Sequence, residues 1–327
     1  METITTEKPK FEIKQPKLLS PRVRWLRDYY FQGVNRKWNN EFVSFTTGTP
    51  WDFQYNELSF YIVPETYFYI PTFRSSFKQL ATPVELHPHF WNWSLPERRA
   101  WFVREAIVKY NPKEILPGDL LAGARFNIMV SHCLNKQEAK EYDKMIYGKK
   151  GARAAMLWFH NHGYGNAGAT SGHLVPGYAR ILEHGWKAVN ADLQAHYDAL
   201  APQEQKGKKG AQLRAMLTAS TMARDLAEEY RKLLVEMASS EVDPARKDEL
   251  EKMALNLARV PWEPAATFWE AVQSLWLTHM LIMTDENYPG PGVSFGRADQ
   301  YLNPLWEKSL SERSEERRVG KECRSRW

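Results

Sequence analysis

The run from Val260 to Trp306, VPWEPAATFWEAVQSLWLTHMLIMTDENYPGPGVSFGRADQYLNPLW, constrains the fold more than any other part of this 327-residue chain. Pro264 stands at a natural first helical position. Phe268, Val272, Leu275, Trp276, His279 and Ile282 then recur at helical spacing and mark a buried stripe. The helix is expected to stop at Asp285, because Pro289 and Pro291 lack an amide donor and Gly290 and Gly292 cost backbone entropy. After that turn, Ser294 to Pro304 form a second packed segment.

The chain has room for a sizeable core in one large domain or two ordinary ones. Its 43% hydrophobic and 25% charged content is that of a soluble globular protein. The 13 Trp, 15 Tyr and 15 Phe are a heavy aromatic load, suited to a thick core or to a pocket for an apolar substrate. Residues 1–17 hold no apolar run of signal-peptide type, and no stretch reaches the roughly 18 apolar residues of a membrane span, so a cytoplasmic location is expected. Residues 313–327, RSEERRVGKECRSRW, resemble the in-frame translation of a short-read sequencing adapter and are read as a non-native tail. Six cations against three anions in that tail supply +3 of the net +5 charge, which removes the case for nucleic acid or an anionic membrane as partner. Cys323 goes with the tail. Cys133 is left alone, no disulfide framework is available, and beside the apolar run Ile128 to Val130 it reads as a small buried hydrophobe.

Residues 1–19 read as a flexible arm, and 20–312 as the folded domain. A short helix is expected from Pro21 to near Gly33, and aromatic-rich loop and extended structure from Phe42 to Tyr69. Ser94 caps a helix whose first turn holds Pro96 and Glu97, with Trp101, Phe102, Ala106, Ile107 and Tyr110 on one face. Glu114 to Gly123 reads as a turn followed by a buried strand. Gln203 to Gly210 reads as a charged turn before a helix over Ala211 to Ala238, with Leu213, Leu217, Met222, Leu226, Tyr230, Leu233 and Met237 inward. Asp243-Pro244 restarts a helix through Leu250, Met253 and Leu257, which Pro261 closes.

The polar centre of the chain is Phe159 to Gly172, FHNHGYGNAGATSG. Its histidines with His173 lack an HExxH or comparable helical pair and a nearby carboxylate, so no metal site is expected. Its glycines fit neither dinucleotide nor phosphate-loop spacing.

Two segments carry a family resemblance. Ser294, Phe295, Gly296, Arg297, Asp299, Gln300, Tyr301, Leu302 and Pro304, after the capped helix and its Gly/Pro turn, resemble the glycyl radical enzymes, the family of pyruvate formate-lyase. His173, Pro176, Tyr178, Ile181, Leu182 and Gly185 follow the order found in that family before a long helix. The resemblance implies a helix-rich α/β fold, here the N-terminal part of a ten-stranded α/β barrel. It implies an organic glycyl radical installed by a radical SAM activating enzyme, a thiyl-forming cysteine, a homodimer of the full-length chain, and accessory subunits in some members. The cysteine loop and the radical glycine fall beyond residue 327 in the family's order, so this chain is expected to be a fragment without turnover of its own and without a bound cofactor.

Segments 46–77 and 116–133 are similar to the large subunits of fumarate-adding synthases, which implies radical addition of a hydrocarbon to fumarate. An arylacetate decarboxylase, or another lyase or acyltransferase of the family, is the alternative. A non-catalytic helical binding module is the reading from a different class. Arg214 is the leading substrate-binding candidate, because it sits beside the apolar face of its helix at a point where relatives carry such an arginine, and a guanidinium grips carboxylate with two parallel bonds. Tyr197, His173 and Arg125 are further candidates for the same cavity. Arg297 and Asp299 are expected to pair and hold their turn.

Overall fold

Helix α6, Lys208–Ser240, is the spine on which Leu95–Glu105, Tyr178–Asp198, Pro202–Lys206, Pro244–Arg259 and Phe268–Asp285 pack in this computed structural model. The structure describes residues 20–26, 84–110, 113–123, 133–163, 174–285 and 293–312. In chain order the helices are α1 (Leu95–Glu105), α2 (Lys136–Tyr147), α3 (Ala152–Asn161), α4 (Tyr178–Asp198), α5 (Pro202–Lys206), α6, α7 (Pro244–Arg259), α8 (Phe268–Asp285) and α9 (Ala298–Ser311). The first residues described, 21–26, are also helical and bury Val23 and Leu26. The expected arm 1–19, the aromatic segment Phe42 to Tyr69, the strand-like run Ile128 to Val130 and the tail 313–327 lie outside the described residues.

Sequence caps fix several boundaries. Glu97 accepts from the Ser94 amide at 3.2 Å and the Ser94 hydroxyl at 2.7 Å, so α1 begins as its capping box requires. Its last turn widens into a π-helical stretch, Ala106–Tyr110. Asp243 accepts from the Ala245 amide at 3.0 Å and starts α7. Residues 203–210 are not the expected turn. Pro202 opens the short helix α5, and α6 begins at Lys208. Gly210 permits this, since a Cβ there would lie 2.0 Å from the Gln205 carbonyl oxygen.

Along α6 the buried stripe is built largely of Ala211, Ala215, Ala223, Ala227 and Ala238, with Met222, Leu226, Tyr230 and Leu234 between them. Small residues let α1, α4 and α7 approach closely. The expected Leu213, Leu217, Leu233 and Met237 lie half-buried at the edges of that stripe.

Helix α8 starts at Phe268, four residues after the expected Pro264. Its cap is Thr267, whose hydroxyl accepts from the Glu270 amide at 3.1 Å while Glu270 accepts from Ala266 at 2.7 Å; Pro264 belongs to the preceding turn. Phe268, Leu275 and His279 of the expected stripe are buried, but so are Trp269, Ala271, Gln273, Ser274, Leu277, Thr278 and Met280. The helix is enclosed on nearly every side.

The strand expected within Glu114 to Gly123 is absent. Residues 113–123 are turn and extended backbone lying along α8, and side chains of that helix take the hydrogen bonds that a neighbouring strand would take. Trp269 Nε1 donates to the Leu120 carbonyl at 2.7 Å and Trp276 Nε1 to the Gly123 carbonyl at 2.7 Å. Gln273 accepts from the Ala122 amide at 2.8 Å and donates to its carbonyl at 3.1 Å. Among the described residues the only parallel pairing is an isolated bridge, Leu174 to Val293, so the described fold is helical. No helix among them is long and apolar enough to cross a membrane.

Helix α4 kinks at Gly185, where φ is +73°. The kink brings the chain against residues 261–265: Trp186 and Lys187 amides donate to the Pro261 and Trp262 carbonyls at 2.9 Å, and the Ala265 amide donates to Leu182 at 3.0 Å. A Cβ at Gly185 would stand 2.1 Å from the Trp262 carbonyl oxygen. Gly185→Ala is therefore expected to cost roughly 2–4 kcal/mol in urea unfolding, combining left-handed strain with a backbone clash. Gly163 has φ +72° and, among the described residues, no atom within 4 Å of an added Cβ, so Gly163→Ala should cost only about 1 kcal/mol. Equal losses at the two positions would show that the close approach at Gly185 is not what the glycine serves.

Candidate functional site

The two segments that carry the family resemblance, 174–185 and 294–304, meet in space. The bridge from Leu174 to Val293 sets them side by side, and the Ser294 amide donates to the Leu174 carbonyl at 3.0 Å. Gly296, at φ +64°, lets the turn pass Val175, whose Cγ1 would lie 2.6 Å from a Cβ. Beneath the bridge, Tyr178 at the start of α4 reaches His279 of α8, with Oη and Nδ1 2.7 Å apart; the imidazole tautomer sets which one donates. Phe295 covers the imidazole at 4.3 Å between centroids, and Tyr301 of α9 donates to the Phe295 carbonyl at 2.8 Å. Leu182, Ala271 and Leu275 close the apolar side.

Burial dominates the electrostatics here. It pushes the Tyr178 phenol well above its ordinary range, with the Tyr301 phenol adding to the effect. It raises Tyr301 to about 12 and lowers His279 to about 4. A general acid or base works best with a pKa near the operating pH, and these shifts move phenol and imidazole apart in opposite directions. The node holds a neutral hydrogen bond and positions the paired segments; it is a poor proton-transfer couple.

A second polar cluster contains two of the sequence-predicted residues. Arg214 of α6 donates through Nε to Glu97 at 2.8 Å and through one terminal nitrogen to the Gln205 carbonyl at 2.6 Å and the Tyr197 hydroxyl at 3.5 Å. Its guanidinium carbon lies 6.0 Å from the Tyr197 ring centroid. Burial raises the Glu97 carboxyl, and Ser94 and Arg214 together outweigh it and leave the group below its usual range. Bonds to Glu97, then Tyr197, raise Arg214. Sequence reasoning placed Arg214 beside Tyr197. It missed Glu97, which lies 117 residues away and was read only as a first-turn acid.

His173 and Arg125 lie outside the described residues. Helix α3 runs on through Asn161, and His162 stacks on Trp158 at 4.2 Å with Nδ1 2.7 Å from the Trp158 carbonyl oxygen. Among the described residues no three His, Cys, Asp or Glu side chains are grouped to hold a metal ion. Cys133 is buried at φ +57°. Arg297 and Asp299 pair as expected, at 3.0 and 3.1 Å, but both are exposed and such pairs contribute little.

Residues 135–322 match the family described as "Pyruvate formate lyase-like". The chain belongs to that family, the glycyl radical enzymes of pyruvate formate-lyase type. The match extends ten residues past residue 312, into the segment read as a foreign tail. The (2S)-3-sulfopropanediol dehydratase of Klebsiella oxytoca is 33% identical over 180 residues, 53% of this chain and 21% of that protein. The isethionate sulfite-lyase of Desulfovibrio desulfuricans is 36% identical over 138 residues, 41% of this chain and 16% of its own length. The indoleacetate decarboxylase of Tractidigestivibacter scatoligenes is 43% identical over 91 residues, 28% of this chain and 10% of that enzyme. The chain thus spans about a fifth or less of the curated relatives it matches.

Among solved structures, the 1,2-propanediol dehydration enzyme of Roseburia inulinivorans superposes with a TM-score of 0.60 at 20% identity, covering 94% of this chain and 39% of its own. A glycyl radical enzyme from Archaeoglobus fulgidus does so with a TM-score of 0.56 at 21% identity, covering 77% and 39%. These likenesses concern the fold.

The neutral state of His279 has a measurable consequence. Between pH 6.5 and 4 the unfolded chain binds a proton at this residue that the folded chain does not, so its contribution is complete above pH 6.5 and is lost as pH falls toward 4. From pH 7 to pH 5 the wild type should lose about 2 kcal/mol more than His279→Gln in urea unfolding. A pH dependence that survives the substitution unchanged would contradict the assignment.

Proposed function

We propose that the chain is the leading part of a glycyl radical lyase, a helical scaffold set beside a ten-stranded α/β barrel and facing its substrate cavity. The family match over residues 135–322 carries this reading. The meeting of the two family-like segments at Leu174 and Val293 supports it, since parallel pairing is what an α/β barrel is built from. The named relatives are a dehydratase, a sulfite-lyase and a decarboxylase, so the reaction we favour removes a group from a small substrate bearing a sulfonate or carboxylate.

A decarboxylase of an arylacetate is the second reading, favoured by the 43% identity to indoleacetate decarboxylase and by the aromatic content of the chain. Radical addition of a hydrocarbon to fumarate is a finer reading, resting on segments 46–77 and 116–133. All three place an anionic group in the cavity.

In this reading the organic radical sits on a backbone glycine and supplies, through a thiyl, hydrogen-atom abstraction from the substrate. A radical SAM activase is the required partner, and the whole enzyme is a homodimer in the cytoplasm, with accessory subunits in the fumarate-adding case. Arg214 and Tyr197 are proposed as an anion contact, joined by His173 and Arg125. The support is a guanidinium 38% exposed beside a phenol, and the competing feature is Glu97, which an anionic substrate has to displace.

Two measurements test the proposal. The 327-residue chain incubated with the activase should give no glycyl EPR signal and no turnover, whereas the longer gene product should give both; a glycyl doublet in the short chain contradicts the fragment reading. In the longer product, Arg214→Gln should raise KM for the anionic substrate at least about tenfold with little change in kcat. A loss of melting temperature with KM unchanged would assign Arg214 to the joining of α1 and α6 instead.

A further inference from the structure

Glu97 serves two partners at once, one with each carboxylate oxygen. Oε2 accepts from the Ser94 amide at 3.2 Å and from the Ser94 hydroxyl at 2.7 Å, which closes the capping box of α1. Oε1 accepts from Arg214 Nε at 2.8 Å. The cap fixes the first oxygen on the backbone, so the second is held on the edge of the guanidinium that an incoming carboxylate or sulfonate would use. The other groups on Arg214 are neutral: one terminal nitrogen donates to the Gln205 carbonyl at 2.6 Å and to the Tyr197 hydroxyl at 3.5 Å. The charged groups nearest in sequence are engaged elsewhere. Arg98 of α1 donates to both oxygens of Glu138 of α2, at 2.6 and 2.8 Å, and Lys209 of α6 pairs with Glu204 of α5 at 2.6 Å. The ion pair that controls Arg214 is the one with Glu97.

We propose that Glu97 is a built-in competitor for the anion site of Arg214, so that an anionic substrate group binds by exchanging with this carboxylate, and the displaced Glu97 takes a proton from solvent. The inference rests on the reading of Arg214 as an anion contact given above. Its physical basis is that one guanidinium cannot neutralise two anions. With its bond to Arg214 broken, Glu97 is a half-buried carboxylate beside the bound anion, and both conditions favour the neutral acid. In the resting protein burial pushes the Glu97 carboxyl up, but the bonds from Ser94 and Arg214 outweigh burial and hold it below the usual carboxylate range. Exchange removes the share of Arg214, which leaves Ser94 alone against burial and against the new negative charge. The sign follows by linkage. A group whose pKa rises on binding takes up a proton, so the affinity for the anion strengthens as pH falls through the carboxylate range and is weakest at neutral pH, where the ionised competitor is fully in force.

The test uses methanesulfonate, which carries the sulfonate group of the favoured substrate class. It is titrated calorimetrically into the 327-residue chain at constant ionic strength, in two buffers of different ionisation enthalpy, so that protons taken up are counted with the affinity. Glu97→Gln is the informative variant, because glutamine keeps the capping box with Ser94 and carries no charge to hold Arg214. At about pH 7.5 this variant should bind at least about tenfold tighter than the wild type. At about pH 5 the wild type should take up a proton on binding, the variant should take up none, and the gap between them should narrow to about threefold or less. Arg214→Gln should bind at least about tenfold more weakly than Glu97→Gln at both pH values. Equal affinities of wild type and Glu97→Gln, with binding lost in Arg214→Gln, would overturn the exchange and leave the anion contact standing. Weaker binding by Glu97→Gln at an unchanged urea midpoint would make Glu97 an orienting group for Arg214, which also overturns competition. Wild-type binding without proton uptake at about pH 5 overturns it independently of any substitution. Binding indifferent to Arg214→Gln, or absent from wild type and Glu97→Gln alike, would sink the anion contact itself and the exchange with it.

Discussion

The enclosure of α8 is the constraint on which the rest of the structure depends. An 18-residue helix buried on nearly every side needs partners for the polar side chains it carries inward, and the partners found by all of these but Ser274, whose hydroxyl is buried without a hydrogen bond, place the surrounding elements. Trp269, Gln273 and Trp276 hold residues 120–123; Thr278 accepts from Trp186 Nε1 at 3.1 Å just beyond the kink of α4; His279 meets Tyr178 at its start; Glu270 pairs with Arg259 at the end of α7. The apolar area sets the size of the core. The buried polar groups set its register, because each loses about 1–3 kcal/mol if its partner moves away.

That arrangement explains why two family-like segments, more than a hundred residues apart, converge. Tyr178 and Phe295 both neighbour the same imidazole, and the segments they belong to are joined by the Leu174–Val293 bridge. Chemistry needing a titrating group has to come from elsewhere, because burial has driven the phenols and the imidazole away from neutrality.

Much of the helical framework was legible in the residues because caps are local. Ser94 with Glu97, and Asp243 with Pro244, state their helix starts within four positions. Pro264 misled because a proline before a helix and a proline at its first turn read alike, and the deciding Thr267–Glu270 bonds involve side-chain reach. The segment Glu114 to Gly123 has a strand's composition but pairs with side chains of a helix 151 residues away, which no local pattern encodes. Of the candidate site, Arg214 was proposed from its helix position and Tyr197 as a further candidate for the same cavity, and the structure sets the two side by side. The partner that neutralises Arg214 was not, and His279 looked like one more member of an apolar stripe. Large residues mark a buried face readily; the alanines of α6, buried at its centre, do not.

Native-state hydrogen exchange along α8 tests the central claim most directly. If the helix is the enclosed hub, the amides of Leu275 to Met280 exchange only through global unfolding and are the slowest in the chain, with free energies of exchange equal to that of urea unfolding. Amides there that exchange as fast as those of α2 and α3 would contradict the account.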